Sequence, residues 1–449
     1  MESLSICANR TCQAGFRDRS ARVLTIILLA LSITLPATIQ PVKILLLMLI
    51  IILVFIGMLA NRAALSWHLY FFSCFYAFIG LFWSFYGEVC GNPGAVKVMT
   101  VMVCYPLVIP LCASLYREND GDSLYRIFLI CAWIIVVLDL IYALAYSTYA
   151  GNMLQAIFNY LYSGYLGETI MVNTDTYIKR FSLINFNSMV ILLPFFISSL
   201  FFPKRGSGRM HIFLIVLLSL FLAVLAGRRG LLVSMIAGPA IAFLLTINRS
   251  HNLVKAKETS SWGWLLLVVL TILTCLYLMF EWAGAEDSAK MLGSIFNFTE
   301  DKSNLDRVYQ FHSLMRGIYD APMFGHGAGA AADYIRSNEM PWAYELTYIA
   351  IIFQYGLIGF VLYALGIVFL CWHLISSSKN NGRASFEYYY LSSFISVVIV
   401  NATNPYITAF DSMWMIFIPY AIVNAKLLSK KRQTYNIFAQ NSVLADPQK

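Results

Sequence analysis

Long apolar runs, almost free of charge, recur along the whole chain, and nothing else in the sequence limits its fold as strongly. The first covers residues 23–39. Eleven more follow, at 44–60, 65–86, 98–116, 127–149, 182–202, 211–226, 231–247, 262–280, 357–375, 386–403 and 406–427. A helix of about 17–25 apolar residues crosses a bilayer, and only helices or closed barrels satisfy every backbone polar group there. The expected fold is therefore an all-α, polytopic integral membrane protein with about 12 transmembrane helices. Residues 211–247 are too long for one crossing: as a single helix they would reach about 55 Å. They must fold back, and Gly227-Arg228-Arg229-Gly230 is the corner.

Composition excludes the main alternatives. Hydrophobic residues make up 59% of the chain and charged residues 12%, against roughly a quarter charged in a soluble domain. Neither a soluble enzyme nor a disordered chain has that balance. The formal net charge of +8 calls for no nucleic acid, because Lys and Arg gather in cytoplasmic loops of membrane proteins. With the N-terminus inside, 20 of the 31 basic residues fall in cytoplasmic segments and both termini are cytoplasmic. The resulting division is a basic tail at 1–22, nine spans within 23–280, a large outer loop at 281–356, three spans within 357–427, and a cytoplasmic tail at 428–449. Within the outer loop, 281–345 carries ten acids and five bases. Unstructured connections are seldom that long, which points to a working segment. The nine cysteines form no CxxC pattern, no HExxH spacing occurs, and neither a metal nor a cofactor is expected.

Candidate functional residues lie on the outer side of this layout. Arg228 and Arg229 stand at an outer corner, against the positive-inside bias. They either solvate an interfacial turn or grip an anion, since guanidinium forks match phosphate oxygens two at a time. Lys179 and Arg180 lie at the mouth of the sixth span, with Asn185 and Asn187 just inside; they anchor a helix end or line a site. In the long loop come Arg307, Arg316 and the run Pro322-Met323-Phe324-Gly325-His326-Gly327-Ala328-Gly329. The amides around Gly325 and Gly327 can face an anion or simply form a turn. Glu345 sits where the loop re-enters apolar sequence, as a solvated acid or as a group for proton transfer. Asp139 is the acid deepest in a span, and Asp411, near the outer end of the last span, is placed to pair with an outer arginine. His312 and His326 are outer-loop candidates for a base, with a structural role the favoured reading of each; Tyr160, Tyr162 and Tyr165 suit sugar stacking or an interfacial aromatic belt.

From Lys179 onward, the order of these motifs resembles the O-antigen ligase/polymerase superfamily, the Wzy and WaaL type membrane glycosyltransferases. Lys179-Arg180-Phe181-Ser182-Leu183-Ile184-Asn185-Phe186-Asn187 resembles its Arg-x-Ser/Gly and Asn-Pro-Asn entrance, with Phe186 in place of proline. Ala226-Gly227-Arg228-Arg229-Gly230 resembles its Thr-Gly-Ser-Arg-Gly corner, which aligns Arg229 with the family arginine. Asn304 to Gly329 resembles its large loop, and Arg316 and Gly327 have the Arg-x10-Gly spacing of Wzy polymerases. Gln354-Tyr355-Gly356-Leu357-Ile358-Gly359 is similar to the Glu-x-Gly-Leu-x-Gly that opens the next span. One departure matters: where ligases carry a His-Asn pair, this chain has Glu345-Leu346.

The resemblance implies a GT-C-like membrane glycosyltransferase of polysaccharide biosynthesis, most like a Wzy repeat-unit polymerase. Its substrates would be oligosaccharides on undecaprenyl pyrophosphate, at the outer face of the bacterial inner membrane. Glu345 would be catalytic, with Arg180, Asn187, Arg228, Arg229, Arg307, Arg316, Gly325 and Gly327 binding substrate. Membrane lipid, a chain-length regulator and the pathway's flippase are the implied partners. A ligase moving finished chains to lipid A-core, and a flippase or other transporter, are the competing readings.

Overall fold

The computed structural model describes residues 20–36, 38–59, 65–113, 120–147, 184–204, 208–226, 229–246, 302–407 and 409–445. Among these residues every regular element is helical. In chain order they are α1 (Ser20–Thr34), α2 (Gln40–Leu59), α3 (Trp67–Val89), α4 (Ala95–Ala113), α5 (Gly121–Ser147), α6 (Met189–Phe201) and α7 (Arg209–Leu225). Then come α8 (Arg229–Thr246), α9 (Lys302–Asp320), α10 (Thr347–Asn381), α11 (Phe386–Val400) and α12 (Trp414–Ala445). Among the described residues, six helices are long and apolar enough to cross a membrane, and five shorter apolar helices accompany them. The all-helical, polytopic fold is thus the one the apolar runs predict. The predicted ninth span, 262–280, lies outside the described residues.

Apolarity alone does not decide which helices form the core. α2 has the highest mean hydropathy, 3.1, yet Leu45, Met48, Leu49, Ile52, Phe55 and Leu59 are all exposed on it. That is the face a helix turns to lipid. α6 is buried from Met189 to Leu200, on every side, between α8 and α11. What distinguishes this core is small polar residues that let backbones approach. A Cβ on Gly238 of α8 would collide with Ser396 of α11. Ser396 Oγ donates to the Ser234 carbonyl at 2.9 Å and Ser392, Ser393 and Ser396 are fully buried. Interhelical bonds of this kind contribute about 1 kcal/mol each in a membrane.

The ends of these helices set the position of the site. At one end the Arg383 guanidinium lies over the rings of Phe202 and Phe243, and Tyr389 donates to the Phe202 carbonyl. The C-terminal ends of α6 and α8 therefore meet the start of α11. The N-terminal end of α8 meets the end of α11 on the opposite side of the bundle, where Gly230 packs on Val400. Tyr348, in the first turn of α10, donates to the Val398 carbonyl at that same end. α7 ends at Leu225 and α8 begins at Arg229, within the predicted corner at 227–230, of which Gly227 and Arg228 lie outside the described residues.

The expected start of the tenth span at Leu357 needs correction. α10 begins at Thr347 and breaks at Gly356, which has φ 65° and ψ −177°. The break is filled by the turn at 321–330. The amides of Leu357 and Ile358, which would bond within the helix, instead donate to the carbonyls of Pro322 and Met323 at 2.9 and 3.2 Å. The carbonyls thereby released, Phe353 and Gln354, accept from the amides of His326 and Gly327 at 3.0 and 2.9 Å. Non-helical backbone is tolerated at such a place only when protein satisfies it, and here the turn does so completely.

Candidate active site

Beside that break lies a carboxylate held by two arginines. Glu345 precedes α10 in an irregular strap, 330–346. Its side chain is 11% exposed. One carboxylate oxygen, Oε2, contacts Arg307 Nε at 2.7 Å, and the other, Oε1, contacts Arg336 at 2.7 Å. Arg307 comes from α9, and its side chain is 29% exposed; Arg336 comes from the strap itself, at 45%. The two guanidiniums thus cover the carboxylate while keeping an open side.

The strap is fixed by bonds that do not use this carboxylate. α9 presents Arg307, Gln310 and Leu314 on one face, because residues three and four apart share a side of a helix. Gln310 and Leu314 are fully buried beneath the strap. Gln310 Oε1 accepts from the Glu345 amide at 3.0 Å, and Ser313 Oγ accepts from the Tyr334 amide at 2.9 Å. From α10, Gln354 Nε2 donates to the carbonyls of Ala330 and Trp342. Tyr344 reaches back to accept from the Ala332 amide, and burial pushes its phenol above the ordinary value. Tyr334 donates to Asp306 at 2.9 Å; that bond to an acid holds its proton and raises it likewise. Lys97 lies over the Trp342 ring at 5.1 Å and ties α4 to the same strap.

The remaining candidates divide clearly. Arg307 and Glu345 are brought into direct contact. Asn187 is half-buried in the 3-10 turn Ile184–Ser188 that opens α6. Asn185, in the same turn, is buried with neither amide atom hydrogen-bonded among the described residues. Arg229 opens α8 at the end of the bundle that α10 also reaches, but its side chain is outside the described residues, as are Arg180, Arg228 and the three tyrosines at 160, 162 and 165. Arg316 stands apart: it is 74% exposed and meets Asp333 at 3.1 Å. Asp139 is buried within α5.

Two expectations change in the structure, and the favoured structural reading of His326 holds. The amides of Gly325 and Gly327 do not face an open anion site, since they donate to the carbonyls of Ala321 and Gln354. Asp411 pairs with a lysine rather than an arginine: the fully buried Lys43 contacts it at 2.5 Å, and Gln40 donates to its other oxygen. His326 is taken up structurally, bonded to the Gly317 carbonyl at 2.8 Å and packed on Phe353. The sequence reading also missed Arg336 and Gln310. Arg336 belongs to no motif, yet it is one of only five bases in the acidic segment 281–345. The positive-inside argument that singled out Arg228 and Arg229 applies to it equally.

Residues 214–364 match the family model described as O-antigen ligase, Wzy_C. The matched stretch runs from α7 into α10 and contains Arg229, Arg307, Arg336, Glu345 and Gly356. The match covers about a third of the chain and supports its likeness to the O-antigen ligase/polymerase superfamily. No curated protein matches the chain. That match supports a polysaccharide-related ligase or polymerase activity in a membrane, on lipid-linked saccharides.

Proposed function

We propose that the protein polymerises lipid-linked polysaccharide repeat units at the periplasmic face of the inner membrane. In this reading it transfers the growing chain from undecaprenyl pyrophosphate to a sugar hydroxyl of an incoming lipid-linked unit. The observation that carries it is the Arg307–Glu345–Arg336 cluster, which offers cations for a diphosphate and a carboxylate for a proton in one place. Arginines stabilise the charge that develops on the leaving diphosphate, and a carboxylate takes the proton of the attacking hydroxyl. The diphosphate is already an activated leaving group, so the reaction needs neither a nucleotide sugar nor a metal. Arg229 and Arg180 complete the diphosphate site in this scheme, with Arg228 and Arg316 in secondary roles. Asn187 would contact the saccharide near the start of α6. The polymerase is favoured over the ligase because Glu345-Leu346 stands where ligases carry His-Asn.

Deleting the gene tests this reading. A polymerase deletion leaves lipid A-core capped with a single repeat unit, because ligation persists. A core bearing no unit at all, with lipid-linked long chains accumulating, would replace the polymerase by the ligase. Orientation is tested by reporter fusions after Asn304, which are expected to be active only as periplasmic reporters; cytoplasmic activity there would overturn the proposed face.

A further inference from the structure

We infer that Arg307 and Arg336 pass from the Glu345 carboxylate to the donor's diphosphate, so that donor binding is what frees Glu345 to accept a proton. This rests on the proposed function and adds Arg336 and an order of events to it.

Glu345 as found is poorly placed to act as a base. Each of its oxygens is in ion-pair contact with a guanidinium at 2.7 Å, so both are already covered by positive charge. A static structural role for the pair is not what the surroundings suggest. The strap keeps its place through the Glu345 amide on Gln310, the Thr347 amide on the Glu345 carbonyl, and Gln354 on Ala330 and Trp342. None of these uses the carboxylate. Exposure also rises in a telling order, from 11% at Glu345 to 29% at Arg307 and 45% at Arg336. An anion arriving from outside meets the arginines before it meets the acid. Two guanidiniums on separate oxygens of one anion are spaced as the oxygens of a phosphate require, and a diphosphate offers more charge and more acceptors than a carboxylate.

The chemical step then balances. The acceptor hydroxyl oxygen bonds to the anomeric carbon. The bond from that carbon to the diphosphate oxygen breaks, and its electron pair stays on the diphosphate, where Arg307 and Arg336 hold it. The hydroxyl proton passes to a Glu345 oxygen that the exchange has released. Before donor arrives, the same contacts keep the acid occupied.

The test uses the full chain in lipid nanodiscs, with inorganic pyrophosphate titrated calorimetrically at fixed salt. Glu345→Gln removes the competing anion and is expected to bind pyrophosphate about tenfold tighter than wild type while forming no polymer. Arg336→Gln is expected to bind about tenfold weaker, with Arg336→Lys in between because it keeps the charge and loses the fork. Arginines that never leave Glu345 for the diphosphate predict no such gain for Glu345→Gln, so equal or weaker binding in that variant overturns the inference. If Glu345→Gln is not recovered from membranes, Arg336→Gln decides alone, its side chain being nearly half exposed; unchanged affinity there overturns it too. Should gene deletion abolish long chains while these affinities stay unmoved, the hand-over falls and the polymerase stands. The expected affinity shifts without any chain defect on deletion would keep the arginine fork and remove the polymerase.

Discussion

The turn at 321–330 and the acid at Glu345 lie on either side of one helix break and treat their polar groups in opposite ways. In the turn, the amides of Gly325, His326, Gly327 and Ala328 all donate to backbone carbonyls, including that of Trp83 on α3. Its glycines are needed for closeness: a Cβ on Gly325 would lie 2.5 Å from the Gly356 nitrogen, and one on Gly356 would lie 2.1 Å from the Met323 oxygen. At Glu345 the backbone is equally well bonded, but the side-chain charges are paired in a form that a stronger anion can replace. Motif glycines thus build the platform here, and in the proposed scheme the unremarked arginine beside it serves the chemistry.

Substitutions break this contrast in a graded way. Gly356→Ala should have the largest effect. It places a side chain at φ 65° and ψ −177°, a region essentially reserved for glycine, costing about 1–3 kcal/mol, and forces a backbone overlap besides. Expected is a loss of protein from the membrane, read by immunoblot, with activity falling in proportion; normal abundance would mean that the break is not a structural keystone. Arg307→Ala and Arg229→Ala should leave abundance unchanged and lower polymer formation. Losing a charge-assisted contact made in the transition state costs about 3 kcal/mol, on the order of a hundredfold in rate. Arg229→Lys should stay impaired, since it restores charge without the fork. Arg316→Ala should do least. Its exposed pair with Asp333 is worth about 0–1 kcal/mol, so chain length and melting temperature should both remain near wild type. A large loss there would raise Arg316 from a secondary to a primary role in the diphosphate site.

The same contrast explains what could be read from sequence. Apolar runs report helices directly, so the all-helical fold and the corner between α7 and α8 were legible in hydropathy and glycine placement. The start of α10 at Thr347 was not, because Gln354-Tyr355-Gly356 looks like a beginning and is in fact an interruption held by a distant turn. Arg307 and Glu345 stood out by type and position. Their contact, and the part of Arg336, depend on how α9 and the strap pack, which no local pattern encodes. Lys43 and Asp411 make the same point, since only the meeting of α2 with the start of α12 pairs them.

The central claim is that Glu345 works chemically and is not merely a salt-bridge partner. Its most direct test is Glu345→Gln in cells that still make and flip repeat units, with surface polysaccharide length and membrane abundance measured together. The substitution keeps the shape and the backbone bond to Gln310 while removing the charge. At normal abundance, the account predicts lipid A-core carrying one repeat unit and no longer chains. Long chains of wild-type length in that variant would contradict it.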